Sequence, residues 1–161
     1  MSVIARLATA ADADEMVRLA CVMFASMGVD VPDAAWREEA AAHIAARIGD
    51  DAVGAVVDHP DRPGRLVASA AATVSTRLPN HVNRNGRSAY VQWVATDEEF
   101  RNRGYSRAVM TTLLEWLDAH DVTAIELHAT PMGERLYRSL GFWEGMGAPP
   151  LRRRRWDPPP S

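Results

Sequence analysis

Residues 90–120 have the sequence YVQWVATDEEFRNRGYSRAVMTTLLEWLDAH, and this stretch decides the fold. The β-branched and aromatic residues from Tyr90 to Val94 predict a strand. Further on, apolar residues recur at intervals of three and four, which predicts an amphipathic helix with the core face Val109, Met110, Leu113, Leu114 and Leu117. An arginine-rich loop around Gly104 joins the strand to the helix. Because a helix N-terminus exposes unpaired N–H groups and the positive end of the macrodipole, this loop predicts a site for a phosphate-bearing molecule.

The composition is that of a soluble globular protein with one domain. The chain has 161 residues, of which 47% are hydrophobic and 24% are charged, and its formal net charge is −3. We expect a single domain over residues 1–156 and an exposed proline-rich tail over residues 157–161. Cys21 is the one cysteine, and the sequence has neither a long apolar run nor the pattern of a signal peptide. We therefore expect a cytoplasmic protein with no membrane partner.

Two further classes of ligand have no support in the sequence. Nucleic acid is not expected as a partner, because the net charge is negative and the basic run at residues 152–155 would point alternately to opposite faces of a strand. No metal is expected either. His43 lies at the edge of the apolar stripe of a predicted helix, where a structural or solvent-facing imidazole is the simpler interpretation.

The rest of the chain shows strand and helix patterns in alternation. Thr9 and Asp12 have the spacing of a capping box that opens a first helix, and Gly28 is placed to end it. The full order is β, α, α, β, β, β, α, β, α, β, β, with strands at residues 3–7, 52–58, 66–76, 90–94, 122–129, 142–146 and 151–156. A strand–helix–strand unit implies a parallel pair, here within an otherwise antiparallel sheet. The predicted fold class is therefore α+β with helices on both faces of a mixed sheet.

This order, together with RNRGYS at the start of the long helix and LYRSLGF in the short one, resembles the GNAT superfamily of acetyl-CoA-dependent N-acetyltransferases. Residues 101–106 match the family motif Q/R-x-x-G-x-G/A except at the last position, which is Ser106. The preceding strand, the following helix and the distance to LYRSLGF make the match more specific than six residues alone. The resemblance covers almost the whole chain and implies a mostly antiparallel sheet with one splayed parallel strand pair and acetyl-CoA as co-substrate.

The resemblance also implies which residues hold the co-substrate. The pantetheine arm would lie along the end of the strand, and the pyrophosphate would lie on the loop and the first helical turn. The residues concerned are Val94, Ala95, Thr96, Arg101, Asn102, Arg103, Gly104, Tyr105, Ser106 and Arg107. For each arginine of this set, contact with phosphate and pairing with a nearby acidic residue (Asp97, Glu98 or Glu99) are both open.

The implied reaction is attack of a neutral primary amine on the acetyl thioester in a ternary complex. Tyr137 matches the tyrosine that protonates or hydrogen-bonds the departing sulfur in many family members, although a packed ring would also fit its helical position. Glu126 and His128 share a strand face and are candidates for the general base, while a structural role fits each of them as well. These three residues form the predicted catalytic set.

A non-catalytic acyl-CoA-binding or regulatory module of the same fold is the alternative function. The sequence does not identify the acceptor amine, although the polar loop at residues 78–87 is one segment that could line its site. The oligomeric state is open: Trp143 and Trp156 are either interface residues of a homodimer or core residues.

Overall fold

The chain forms its elements in nearly the predicted order. The computed structural model describes residues 3–30, 33–145 and 150–151. Within them the helices and strands are β1 (Arg6–Leu7), α1 (Ala13–Ser26), α2 (Ala34–Arg47), β2 (Ala52–Asp58), β3 (Leu66–Thr76), β4 (Arg87–Thr96), α3 (Tyr105–Ala119), β5 (Ala124–Glu126) and α4 (Glu134–Ser139). The chain divides into two compact units, residues 1–129 and residues 130–161. No helix of the described residues is both long and apolar enough to cross a membrane.

The starts of the first two helices follow from local capping. The carboxylate of Asp12 accepts the backbone N–H of Thr9 at 2.8 Å, just before α1. The carboxylate of Asp33 accepts the N–H of Ala35 at 2.9 Å at the start of α2. Each bond satisfies a backbone donor that would otherwise lack a partner at the turn into the helix. The predicted capping box at Thr9 and Asp12 is therefore confirmed.

The strands form one sheet in the order β1-β2-β3-β4-β5. The pairs β1–β2, β2–β3 and β3–β4 are antiparallel, whereas β4 and β5, which flank α3, are parallel. The predicted α+β class with a mixed, mostly antiparallel sheet is confirmed.

Helices pack on the sheet through the apolar faces that the sequence predicts. In α1, the fully buried Met16 and Leu19 pack in one cluster with Val56 of β2 and Ala95 of β4. In α3, the residues Val109, Met110, Leu113 and Leu117 are fully buried. This helix contacts β2, β3 and β4. Of the predicted core face, only Leu114 is partly exposed.

The C-terminal part of the chain departs from the prediction. Strand β5 covers three residues instead of residues 122–129, and residues 142–145 form no strand. The N–H of Phe142 donates to the carbonyl of Tyr137 at 3.0 Å, and that of Gly141 donates to Arg138 at 3.1 Å. With Gly141 at φ 93°, this is a Schellman motif, so the segment that was predicted to start a strand instead caps α4.

Other C-terminal predictions fall outside the described residues. These are most of the predicted strand at residues 151–156, the basic run within it, and the tail at residues 157–161. Leu151 is described, and it is not in a strand. Trp143 is 70% exposed, and Trp156 lies outside the described residues.

Candidate functional site

Strand β4 continues beyond the end of its parallel partner. Ser88–Tyr90 pair with Ala124–Glu126, whereas β4 continues for six more residues to Thr96. Because β5 ends at Glu126, the edge of β4 that faces it has no strand partner over residues 91–96 in the described part of the chain. The backbone hydrogen-bonding groups on this edge are therefore open to a ligand. An extended ligand that carries amide groups can add to such an edge. The predicted segment Val94, Ala95 and Thr96 lies here.

A β-bulge interrupts β4 within this unpaired stretch. On β3, Ser69 faces Ala95 and Ala71 faces Gln92, so Trp93 and Val94 together oppose a single residue. Trp93 has φ 57°, a conformation that non-glycine residues rarely adopt. Bulges redirect backbone groups and occur next to active sites. The sequence pattern did not indicate this bulge, because tryptophan is an ordinary strand residue.

The loop at residues 101–104, between β4 and α3, has the backbone geometry of an anion site, and we call it the anion loop. Asn102 has φ 61° and Gly104 has φ 82°, while the residues beside them have negative φ. Such alternation turns successive N–H groups to the same concave side. The first hydrogen bond within α3 runs from the N–H of Ala108 to the carbonyl of Gly104 at 3.0 Å. The N–H groups of Tyr105 and Ser106 precede this bond at the open end of the helix, where an anion can accept them.

Two hydrogen bonds connect the end of β4 with the loop and with the first turn of α3. The hydroxyls of Thr96 and Ser106 share a hydrogen bond of 2.8 Å. The Nε of Arg101 donates to the carbonyl of Thr96 at 3.3 Å. Ser106, the residue that departs from the family motif, thus joins the helix N-terminus to the strand.

The exposed Arg103 lies against one ring of a small aromatic cluster. Its guanidinium lies over the ring of Phe100, 5.7 Å from the centroid. The same ring makes edge contacts with His59, at 5.2 Å, and with Tyr105, at 5.6 Å. Arg107 is exposed on the first turn of α3.

The partner of Asp97 is not a loop arginine. Both of its carboxylate oxygens accept hydrogen bonds from Arg18 of α1, at 2.8 and 3.0 Å. The sequence pattern indicates Asp97 only as a partner for the loop arginines and gives no sign of Arg18. A contact between residues 79 positions apart leaves no local signal in the sequence.

The two candidate bases lie where β4 and β5 begin to separate. Glu126 is directly opposite Tyr90, and its Oε1 accepts a hydrogen bond from Arg77 at 2.9 Å. His128 lies two residues beyond β5, with its ring in edge contact with Tyr90 at 5.7 Å. The structure therefore brings Glu126 and His128 to the same tyrosine. Their catalytic roles remain predictions.

The polar loop before β4 is held at the N-terminal end of that strand, opposite to the end that leads into the anion loop. Asn83 accepts the hydroxyl hydrogen of Thr123 at 2.7 Å and donates to the hydroxyl of Ser88 at 3.1 Å. An open groove of about 320 Å³ lies beside it, lined by His81, Val82, Arg84, Asn85 and Thr123. Strand β4 has ten residues and spans about 30 Å, so the end of the polar loop that Asn83 holds is remote from the anion loop.

Tyr137 lies on α4, in the unit formed by residues 130–161. Its ring makes an edge contact with Phe142 at 6.0 Å and packs so closely on Gly133 that a Cβ there would lie 2.8 Å from the ring. Burial raises the pKa of the Tyr137 phenol above its ordinary value of 10.0. The hydroxyl is therefore protonated at neutral pH.

The described residues contain no candidate metal site. No group of three or more His, Cys, Asp or Glu side chains in this part of the chain is arranged to hold an ion.

Comparison with known proteins agrees with the fold. The model of the acetyltransferase (GNAT) family matches residues 17–142. A solved "predicted acetyltransferase" from Clostridium acetobutylicum, crystallised with acetyl-CoA, has 18% identity and a TM-score of 0.79, and the match covers 94% of this chain and 96% of that one. A GCN5-related N-acetyltransferase from Ralstonia eutropha has 21% identity and a TM-score of 0.77, and the match covers 93% of this chain and 99% of that one.

A third structural relative is glucosamine-6-phosphate N-acetyltransferase from Arabidopsis thaliana. It has 14% identity and a TM-score of 0.69, and the match covers 98% of this chain and all of that one. No curated protein sequence matches the chain significantly. At these identities the structural matches show the shared fold.

Proposed function

Because the chain belongs to the GNAT acetyltransferase family, we propose that it is an N-acetyltransferase that transfers the acetyl group of acetyl-CoA to a primary amine by direct attack in a ternary complex. One observation carries the proposal. The edge of β4 that has no strand partner among the described residues leads directly into a loop whose backbone suits an anion, at the N-terminus of α3. A ligand that carries amide groups next to a pyrophosphate matches a strand edge that is followed by an anion-binding loop.

The proposed binding mode assigns each part of acetyl-CoA to one element. The pantetheine amides bond to the backbone of Val94, Ala95 and Thr96 like an added strand. The pyrophosphate accepts N–H groups of residues 102–106 and is stabilised by the helix macrodipole, whereas the N–H of Arg101 already donates to the carbonyl of Glu98 at 3.3 Å. Arg103 and Arg107 are exposed at this loop and add positive charge.

The reaction forms a C–N bond and breaks the C–S bond of the thioester. The nitrogen lone pair attacks the acetyl carbon, the nitrogen loses a proton, and the sulfur leaves with the bonding electron pair. We assign proton donation to the sulfur to Tyr137, on the basis of its position in LYRSLGF and of a phenol that is protonated at neutral pH.

Glu126 and His128 are the candidates for removing the proton from the amine. Arg77 engages the Glu126 carboxylate at 2.9 Å, which occupies one acceptor site on Oε1. Both residues stay candidates for the base, with the Glu126 carboxylate held by Arg77 and the His128 ring against Tyr90.

The experiment is a thiol-release assay with acetyl-CoA and a panel of primary amines that includes amino acids, polyamines and glucosamine 6-phosphate. Binding of acetyl-CoA is measured separately by calorimetry. Thiol release that depends on both an amine and Tyr137 supports the proposal. Binding without turnover across the panel supports the alternative of a non-catalytic module, and absence of binding contradicts both.

A further inference from the structure

Arg18 of α1 connects the helix to the point where the anion loop begins. Its guanidinium donates to both carboxylate oxygens of Asp97, at 2.8 and 3.0 Å, and to the carbonyl of Leu66, at 2.9 Å. It also donates to the carboxylate of Glu15, at 2.7 and 3.1 Å. The side chain of Arg18 is 25% exposed and that of Asp97 is 11% exposed, so the pair is largely screened from water. Interactions of this kind are stronger than pairs on an open surface.

Asp97 is the residue at which the chain leaves the sheet. It follows Thr96, the last residue of β4, and its N–H donates to the carbonyl of Val67 at 2.8 Å. Its own carbonyl accepts the N–H of Phe100 at 2.9 Å, which closes the short turn that leads into the anion loop. The orientation of Asp97 therefore sets the direction in which the loop departs from the sheet.

Glu15, also on α1, connects the helix to the neighbouring strand β3. Its Oε1 accepts the N–H of Leu66, the first residue of β3, at 2.9 Å. Burial raises the pKa of the Glu15 carboxyl, but the hydrogen bonds from Arg18 and from Leu66 outweigh this effect, so its net pKa lies below the ordinary value. Glu15 and Arg18 together thus hold the start of β3 and the end of β4.

The charges of this cluster balance only while Arg18 is present. Arg65 lies 3.8 Å from Glu15 and 3.8 Å from Asp97, beyond hydrogen-bonding distance. Two carboxylates and two guanidinium groups therefore cancel. Removal of Arg18 leaves a net negative charge next to a loop that is to receive a pyrophosphate, and it also leaves the Asp97 carboxylate without its hydrogen-bond donors.

We propose that Arg18 is a positioning residue for acetyl-CoA binding, which holds Asp97 in place and neutralises the negative charge beside the anion loop. This inference rests on the proposed function, since it assumes that the loop binds the pyrophosphate. Arg18 does not contact the substrate in this scheme and acts through Asp97.

The test compares Arg18→Met with Arg47→Met as the matched control. Arg47 also donates to both oxygens of an aspartate, Asp51, at 2.9 and 2.8 Å, and its side chain is 33% exposed, but it lies at the end of α2. Calorimetry gives the Kd of acetyl-CoA, thiol release gives KM and kcat, and thermal denaturation gives Tm. We expect Arg18→Met to raise Kd and KM about tenfold with kcat within about twofold of the wild type. Arg47→Met should leave Kd, KM and kcat unchanged.

The outcomes separate this inference from the proposed function. If the wild type does not bind acetyl-CoA, the proposed function fails. If the wild type binds acetyl-CoA and Arg18→Met binds it equally well, or if only kcat falls, the role of Arg18 is refuted. Arg18→Lys retains the charge with fewer donors, and we expect an intermediate Kd. If Arg18→Met does not fold, Arg18→Lys decides the question. A wild-type Kd of acetyl-CoA for Arg18→Lys at raised salt would refute the inference.

Discussion

Replacement of Gly104 by alanine tests the anion loop most directly. Gly104 has φ 82°, and a Cβ at this position would meet no atom of the protein within 4 Å. The protein therefore requires glycine here because of the backbone conformation and not for lack of space. An L-residue in the left-handed region costs about 1 kcal/mol, which for a chain of this length lowers Tm by about 3 °C.

The effect on ligand binding should be larger than this strain. If the pyrophosphate lies against the N–H groups at the start of α3, the new methyl group competes with it for the open space in front of Gly104. Loss of one hydrogen bond to a charged group costs about 1.5 to 3 kcal/mol. The Kd of acetyl-CoA should therefore rise about 10-fold to 150-fold.

Gly28→Ala is the control that separates strain from ligand contact. Gly28 has φ 76°, a Cβ there would also meet nothing within 4 Å, and it follows the C-terminal end of α1. Both variants should lose a similar amount of thermal stability, measured by calorimetric denaturation, whereas only Gly104→Ala should weaken acetyl-CoA binding. An unchanged Kd for Gly104→Ala, or an equal increase in both variants, would refute the assignment of the pyrophosphate to this loop.

Three further predictions concern the hydroxyl pair, the proposed acid and the half-buried carboxylate of Glu15. In a double-mutant cycle of Thr96→Val and Ser106→Ala, each single change should raise the Kd of acetyl-CoA about as much as the double change, because the two hydroxyls share one hydrogen bond. Tyr137→Phe retains the ring that packs on Phe142 and loses the proton donor, so kcat should fall about a hundredfold with Tm and the Kd of acetyl-CoA unchanged. Glu15 has a pKa below its ordinary value of 4.5 in the folded chain, so its charge stabilises the fold above about pH 4.5, and this contribution is lost as the pH falls through the lower folded value. The difference in free energy of unfolding between the wild type and Glu15→Gln, from urea denaturation, should therefore be largest near pH 7 and shrink below about pH 4.

Each of these predictions has an outcome that contradicts it. Additive effects of Thr96→Val and Ser106→Ala would mean that the hydroxyls act independently. A Tyr137→Phe variant with normal kcat would remove the phenol from the chemistry. A stability difference for Glu15→Gln that does not change with pH would mean that the carboxylate charge does not contribute to folding.

Local features of the chain were predictable from the sequence. The capping box at Thr9 and Asp12, the buried face of α3 and the loop around Gly104 each depend on residues within one or two helical turns of each other. Periodicity, capping and glycine placement express interactions over that range, so the pattern alone indicates them. The RNRGYS and LYRSLGF segments added the family, because their spacing along the chain matched a known order of elements.

The tertiary structure decided how the strand ends are arranged around the anion loop. The bulge at Trp93, the early end of β5 at Glu126 and the bond between Arg18 and Asp97 depend on partners that are distant in sequence. Strand register is set by the packing of one whole face of the sheet, and an ion pair across 79 positions forms only after the elements have packed together. For this reason the sequence alone indicated an anion site at the start of α3, whereas only the folded chain showed what holds that site in place.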